Sequence, residues 1–169
     1  MDAIECMLSR ISVRNYIQGK GVSSEDLEKI LLCAQNAPSA MNKKPWDFVV
    51  VQDLETLEMV RKVHPYADFI ADAGCAVMVC LDTEKEFLNY GETDVALASQ
   101  NIMLGACSLG YGTCYCGISG DEHLIQEFKK MFNLPAEIKP MGIIALGRPA
   151  ENKTRKIVQD EKYIHYERW

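Results

Sequence analysis

Histidine is scarce in this chain. The three present, His64, His123 and His165, are isolated from one another. There is no H-E-x-x-H and no C-x-x-C pair, so the sequence gives no support for a metal site. There is no G-x-x-x-x-G-K-[ST], which argues against a P-loop nucleotidase. Gly105, Gly110 and Gly112 miss the G-x-G-x-x-G spacing of a Rossmann dinucleotide site. No G-x-S-x-G elbow exists for a serine hydrolase. Long apolar runs are also missing. The longest, Val95 to Gly110, is broken by Ser99, Gln100 and Asn101 and is too short to span a bilayer. The start, Met1 to Glu5, lacks a basic segment and an apolar segment of the kind that directs export. The expectation is a soluble cytoplasmic protein.

Positive charge is in deficit. Eighteen Lys and Arg face 24 Asp and Glu, for a net charge of −6. That balance speaks against general affinity for nucleic acid or anionic membrane, so any basic site must be a local cluster. Cysteine is plentiful but odd in number, seven in all, which does not suit a secreted disulfide framework. Cys33, Cys75, Cys80 and Cys107 sit in apolar runs and are expected to pack as small buried hydrophobes.

No repeat, low-complexity tract or linker divides residues 1–169, so a single domain is expected. Asp2 to Leu8 reads as a short helix. Ser23 and Asp26 form a capping-box pattern ahead of a stripe of Leu27, Ile30, Leu31 and Ala34, a helix that must stop before Pro38. Phe48 to Val51 reads as a buried strand, Leu54, Leu57 and Val60 as a helix, and Ala76 to Leu81 as a second strand. Residues 93–109 carry the longest helical pattern. Its Ala and Ser content suits a central helix closed by Gly110. Thr113 to Cys116 is a candidate third strand. Ser119 and Glu122 fit a cap for a helix bearing Leu124, Ile125, Phe128 and Phe132, and Gly142 to Leu146 makes the fourth strand. Helices alternating with four short strands give a layered α/β or α+β domain. The tail, 150–169, is polar with scattered aromatics, and that content suggests it docks on something, another subunit included.

Two stretches carry the chemistry. In Ser9-Arg10-Ile11-Ser12-Val13-Arg14, two cations and a hydroxyl alternate, and an extended backbone would put Arg10, Ser12 and Arg14 on one face. Two guanidiniums and a hydroxyl suit a phosphate and an electron-rich ring edge. Ordinary surface ion pairing is the competing reading for Arg10 and Arg14. In Ala37-Pro38-Ser39-Ala40-Met41-Asn42-Lys43-Lys44-Pro45-Trp46, two prolines hold a loop that offers small polar side chains. Asn42 is also plausible as a plain turn residue, and Pro45 and Trp46 as the loop's anchor. Cys114 and Cys116 would share one strand face, where packing competes with thiol redox chemistry.

These stretches, with Gly147-Arg148-Pro149 followed by Lys153-Thr154-Arg155, resemble the nitroreductase family in order and register over the whole chain. The run from Asn101 through Gly112 to Cys116-Gly117-Ile118 is similar to the family's central helix and following strand. The resemblance implies a three-layer α/β/α domain of the α+β class, with a central mixed or antiparallel sheet and a homodimer holding FMN at its interface. Arg10, Ser12, Lys153 and Arg155 would then hold the phosphate, although a solvated basic tail is the simpler reading of the last two. Arg14 would lie at the pyrimidine edge, where a cation stabilises the negative charge of the reduced ring. Pro38, Ser39, Ala40 and Asn42 would come from the partner subunit, and backbone N–H groups near Cys116 and Gly117 would face the ring.

The implied activity is hydride transfer from NADH or NADPH through FMN to a nitroaromatic, quinone or similar acceptor. The alternatives are flavin storage or sensing, or other flavin chemistry on the same scaffold. The chain lacks the insertion of larger family members between central helix and final strand, has Lys44 where Gln is usual, and has no glutamate after the third strand.

Overall fold

The computed structural model describes residues 2–151 and 157–169. Helix α1 (Ala3–Ser9) is capped by Asp2, whose carboxylate accepts from Glu5 N–H at 2.8 Å. Helix α2 (Ser24–Gln35) starts at Ser23, whose hydroxyl accepts from Asp26 N–H, as the capping-box pattern predicts. Strand β1 (Trp46–Val51) leads to α3 (Leu54–Val63) and the single turn α4 (Ile70–Ala73). Then follow β2 (Ala76–Asp82), α5 (Gly91–Ser108), β3 (Gly112–Gly117), α6 (Glu122–Met131) and β4 (Ile138–Gly147).

The strands form one sheet in the order β1-β2-β4-β3, with every pairing antiparallel. Both central strands are buried on both faces, so their side chains feed two cores. On one face Met78, Cys80, Ile143 and Ala145 meet Leu57, Ile70 and Phe128 from α3, α4 and α6. On the other, Val77, Val79, Ile144 and Leu146 meet Ile30 and Ala34 of α2 and Val95, Ala98 and Ile102 of α5. The result is the expected three-layer α+β architecture. Pro140 is tolerated inside β4 because the register shifts beside it, a bulge that relieves the missing N–H.

Three expectations need correction. Strand β1 is not fully buried: it is a sheet edge, and Asp47 and Val50 are exposed. Cys33 is exposed, because it lies off the buried Leu27–Ile30–Ala34 stripe of α2, and Cys107 is only partly buried. Helix α6 is capped by Asp121 rather than Ser119. The Asp121 carboxylate accepts from the N–H groups of His123 and Leu124, a position two residues nearer the helix start. The single turn α4 has no sequence counterpart, since four residues are too few to show a period. No helix among the described residues is long and apolar enough to cross a membrane.

Candidate functional site

The segment after α1 is extended and adds itself to the free edge of β3. Val13 N–H donates to the Thr113 carbonyl at 2.8 Å, and Ser12 forms a parallel bridge with Thr113. Gly112 allows this approach, since a Cβ there would come within 2.7 Å of the Val13 side chain. Further along, Ile17 N–H donates to the Arg148 carbonyl and Ala150 N–H to the Asn15 carbonyl, both at 2.9 Å.

Ser12 and Arg14 open on a cleft of about 360 Å3 shared with Asn15 and Glu151. Arg10 opens on an adjoining cavity of about 210 Å3, beside Cys107, Tyr111 and Glu151. The three predicted side chains are thus neighbours distributed over two adjoining clefts, because pairing with Thr113 holds only the middle of the strip to the sheet. Among the described residues, neither Arg10 nor Arg14 takes part in an ion pair. Arg148 is committed elsewhere. Its guanidinium lies 3.9 Å over the Tyr111 ring and 3.4 Å from the Leu109 and Gly110 carbonyls. Tyr111 in turn donates to Asp26 at 2.7 Å, a bond that holds the Asp26 carboxyl below its ordinary value with help from Ser23. This clamp fixes the start of the segment that leads to residues 152–156. Lys153 and Arg155 lie outside the described residues.

Arg14 also lines a third cleft, of about 510 Å3, with His64, Tyr66, Asp68, Cys114, Cys116 and Gly117. Here the predicted residues Arg14, Cys116 and Gly117 come together in one chain. Because Thr113 turns its carbonyl outward to Val13, the alternation of an antiparallel edge strand turns the N–H and C=O of Tyr115 and Gly117 outward too. Cys116 presents its backbone inward to β4, opposite Ile143. Of the two predicted ring-facing residues, Gly117 therefore carries the outward N–H. The N–H groups of Ile118 and Ser119 are both taken by the Met141 carbonyl. A Cβ at Gly117 would meet nothing nearer than Tyr115 at 3.8 Å, so the glycine leaves open space rather than relieving a clash.

Sequence reasoning missed His64. It is 2% exposed, with Nε2 2.9 Å from the Gly117 carbonyl and Nδ1 accepting from Tyr66 N–H at 3.2 Å. That pairing assigns the Nε2–H tautomer. The ring fixes both the orientation of Gly117 and the wall formed by Pro65 and Tyr66. An isolated histidine before a proline gave no signal of this.

Cys114 and Cys116 pack on one side of β3, both buried. The Cys114 thiol is lowered to about 7, first by the hydrogen bond from Cys116 and then by Arg14, Ser12 and Arg10, against the opposing effect of burial. Cys116 is pushed up, by its bond to Cys114 and by burial. Among the described residues, no cluster of three His, Cys, Asp or Glu side chains is arranged to hold a metal.

The second predicted stretch lies far from the first. Ala40 N–H donates at 3.0 Å to Asp94 Oδ1, in the first turn of α5. Met41, Asn42 and Lys44 all have positive φ, near 50°, a strained turn held by Ser39 Oγ accepting from Lys44 N–H at 2.9 Å. Pro38 and Asn42 are exposed, Ser39 and Ala40 partly so, whereas Pro45 and Trp46 are buried and anchor the loop as expected. The strip that begins at Arg10 is tethered instead to the last turn of α5, where Ser9 Oγ lies 3.9 Å from Cys107 Sγ. Asp94 and Cys107 are thirteen residues apart in α5, about 20 Å at 1.5 Å per residue. Within one chain the two predicted stretches are therefore tied to opposite ends of α5.

The geometry defines a three-layer α+β fold whose sheet edge carries Arg10, Arg14 and an outward backbone N–H at Gly117 beside open clefts. Comparison with known proteins places it further. The profile described as "Nitroreductase family" matches residues 7–65 and 60–148, and the chain belongs to that family. It is 38% identical over 170 residues to a Methanothermobacter thermautotrophicus protein provisionally named NADH dehydrogenase/NAD(P)H nitroreductase, covering 100% of this chain and 88% of the other. A solved structure of the same provisional name from Bacteroides thetaiotaomicron is 35% identical, covers 99% of this chain and 98% of its own, and superimposes with a TM-score of 0.94. An FMN-dependent nitroreductase from Clostridium difficile is 27% identical, covers 98% of this chain and 99% of its own, and gives a TM-score of 0.91.

Proposed function

We propose that this chain is an FMN-dependent oxidoreductase that passes hydride from NADH or NADPH through the flavin to a nitroaromatic, quinone or similar electrophile. Donor and acceptor use one pocket in turn, in ping-pong order. The observation that carries this reading is the pair of arginines on the β3 edge that have no ion-pair partner among the described residues, one of them sharing a cleft with the outward N–H of Gly117. Family membership supports it, as does the FMN named for the C. difficile structure.

The donor set suits FMN. Arg10 and Ser12, with Lys153 and Arg155, would bind the phosphate by charge-assisted hydrogen bonds. Arg14 would face the pyrimidine edge and stabilise negative charge there, and Gly117 N–H would donate to the ring edge. Bound FMN supplies the hydride-accepting centre and carries the redox chemistry. The chain's own residues bind and orient it, and protons can come from water in the open cleft, so no side-chain acid is assigned.

We further propose a homodimer in which Pro38, Ser39, Ala40 and Asn42 of a second copy complete each site, with residues 1–169 acting as one cytoplasmic flavin-binding domain. The separation of the half-sites along α5 supports this. So do the apolar side chains left exposed on α1 (Ile4, Met7, Leu8) and on the tail (Ile157, Val158, Tyr163, Ile164, Tyr166, Trp169). The tail then docks on the partner. Initial-rate kinetics on the FMN-loaded protein test the proposal. Parallel double-reciprocal lines for NADH or NADPH against a quinone are expected; absence of turnover with either nucleotide and any such acceptor would leave a flavin-storage protein.

A further inference from the structure

Two further cysteines, Cys6 and Cys107, meet where the Arg10 strip begins. Cys6 of α1 is 4% exposed, and its thiol donates to the Leu104 carbonyl in α5 at 3.2 Å. Cys107, nearly one turn further along α5, has its Sγ 4.0 Å from the Cys6 carbonyl. Each thiol thus reaches a backbone carbonyl on the other helix, Cys6 that of Leu104 and Cys107 that of Cys6, so the two side chains lie together in the α1–α5 contact. Cys107 is partly exposed and lines the cavity of about 210 Å3 that also holds Arg10. Burial, reinforced by Cys107, pushes the Cys6 thiol up to about 11. Cys6 is thus the shielded member of the pair and Cys107 the accessible one.

We propose that Cys6 and Cys107 form a peroxide-sensitive disulfide that clips α1 to the central helix. The oxidant is a hydroperoxide entering through the Arg10 cavity. The Cys107 thiolate attacks one peroxide oxygen, the O–O bond breaks, and the departing hydroxide takes a proton to leave as water. Cys107 is then a sulfenic acid. The Cys6 sulfur, giving up its proton, attacks the Cys107 sulfur; the S–S bond forms, the S–O bond breaks, and a second water leaves. Overall two thiols are oxidised to one disulfide while one hydrogen peroxide is reduced to two waters.

Cys114 and Cys116 do not compete well for this chemistry. Alternate residues of a strand are about 6.6–6.8 Å apart at Cα, at the outer limit of disulfide geometry. Closing that gap would also tear β3 from β4. Cys6 and Cys107 sit on two separate helices that can adjust by small rigid shifts. Their bond would close a loop spanning a sequence separation of 101. Arg10 N–H donates to the Cys6 carbonyl at 3.0 Å, so the clip holds the point from which the arginine strip departs.

The test uses the reduced full chain, treated with hydrogen peroxide, alkylated, and mapped by non-reducing peptide mass spectrometry. The expected product is one Cys6–Cys107 cross-linked peptide pair, lighter than the two free thiol peptides by two hydrogens and restored by dithiothreitol. The oxidised protein should unfold roughly 5–10 °C above the reduced one. Cys6→Ser should leave Cys107 to run on to sulfinic acid. Wild-type protein that goes directly to Cys107 sulfinic acid, that cross-links Cys114 to Cys116 instead, or whose Cys6 and Cys107 both stay alkylatable would overturn the proposal. None of these readouts requires flavin, so they stand or fall apart from the oxidoreductase reading.

Discussion

The Nε2 of His64 lies 2.9 Å from the carbonyl oxygen of Gly117, across the lip of the largest of the three clefts. One imidazole thereby ties the end of α3 to the exposed edge of β3 and aims the glycine's N–H. His64→Ala should destabilise the protein by about 2–4 kcal/mol, combining an opened cavity beside Phe128 with an unsatisfied carbonyl. Denaturant unfolding reads that loss. Flavin retention through desalting should fall at the same time.

Arg14→Ala and Arg10→Ala should separate binding from stability. Neither side chain has an ion pair to lose among the described residues, so thermal midpoints should stay near wild type. FMN should bind roughly 10- to 100-fold more weakly, the loss of a charge-assisted hydrogen bond. Arg14→Lys should recover only part, because an ammonium cannot present a planar fork. Fluorescence titration with FMN measures each variant.

Asp94 carries one used and one unused oxygen. Oδ1 accepts from Ala40 N–H, while Oδ2 is buried without a hydrogen-bond partner among the described residues. Asp94→Asn keeps the acceptor and should be close to wild type in stability. Asp94→Ala should cost about 1–3 kcal/mol by orphaning the Ala40 N–H and loosening a strained turn. Urea midpoints distinguish the two, and Asp94→Ala should also weaken flavin retention.

The thiol pair gives a pH signature. Cys114 is lowered to about 7 from the ordinary 9.0, so between those values the folded thiol has lost its proton while the unfolded one keeps it. Stability should therefore rise from pH 7 to 9, and the Cys114 contribution should be lost as pH falls through about 7. Cys116 is shifted upward, so above pH 9 the sign reverses. Ultraviolet thiolate absorbance should show one group of the pair titrating near 7. In Arg14→Ala that midpoint should move up.

The parts of the fold legible in the sequence were those with a period. The apolar runs of β2 and β4 mark strands buried on both faces, and the Ser23 cap with its Leu27–Ala34 stripe locates α2. Helix α4 is too short to show any period, and at α6 two caps compete within three residues, so the motif at Ser119 misleads. For the site, the Arg10–Arg14 alternation and the Pro38–Pro45 loop stand out as chemistry. Their distance from each other is a property of α5 and the sheet order, which no local pattern carries. His64 acts through a backbone carbonyl 53 positions away, a contact that only folding creates.

The most direct test is an anaerobic visible spectrum of the FMN-supplemented, desalted protein before and after NADH or NADPH is added. The account predicts flavin bands that survive desalting and bleach promptly with at least one nucleotide. Protein that emerges colourless from desalting would contradict it.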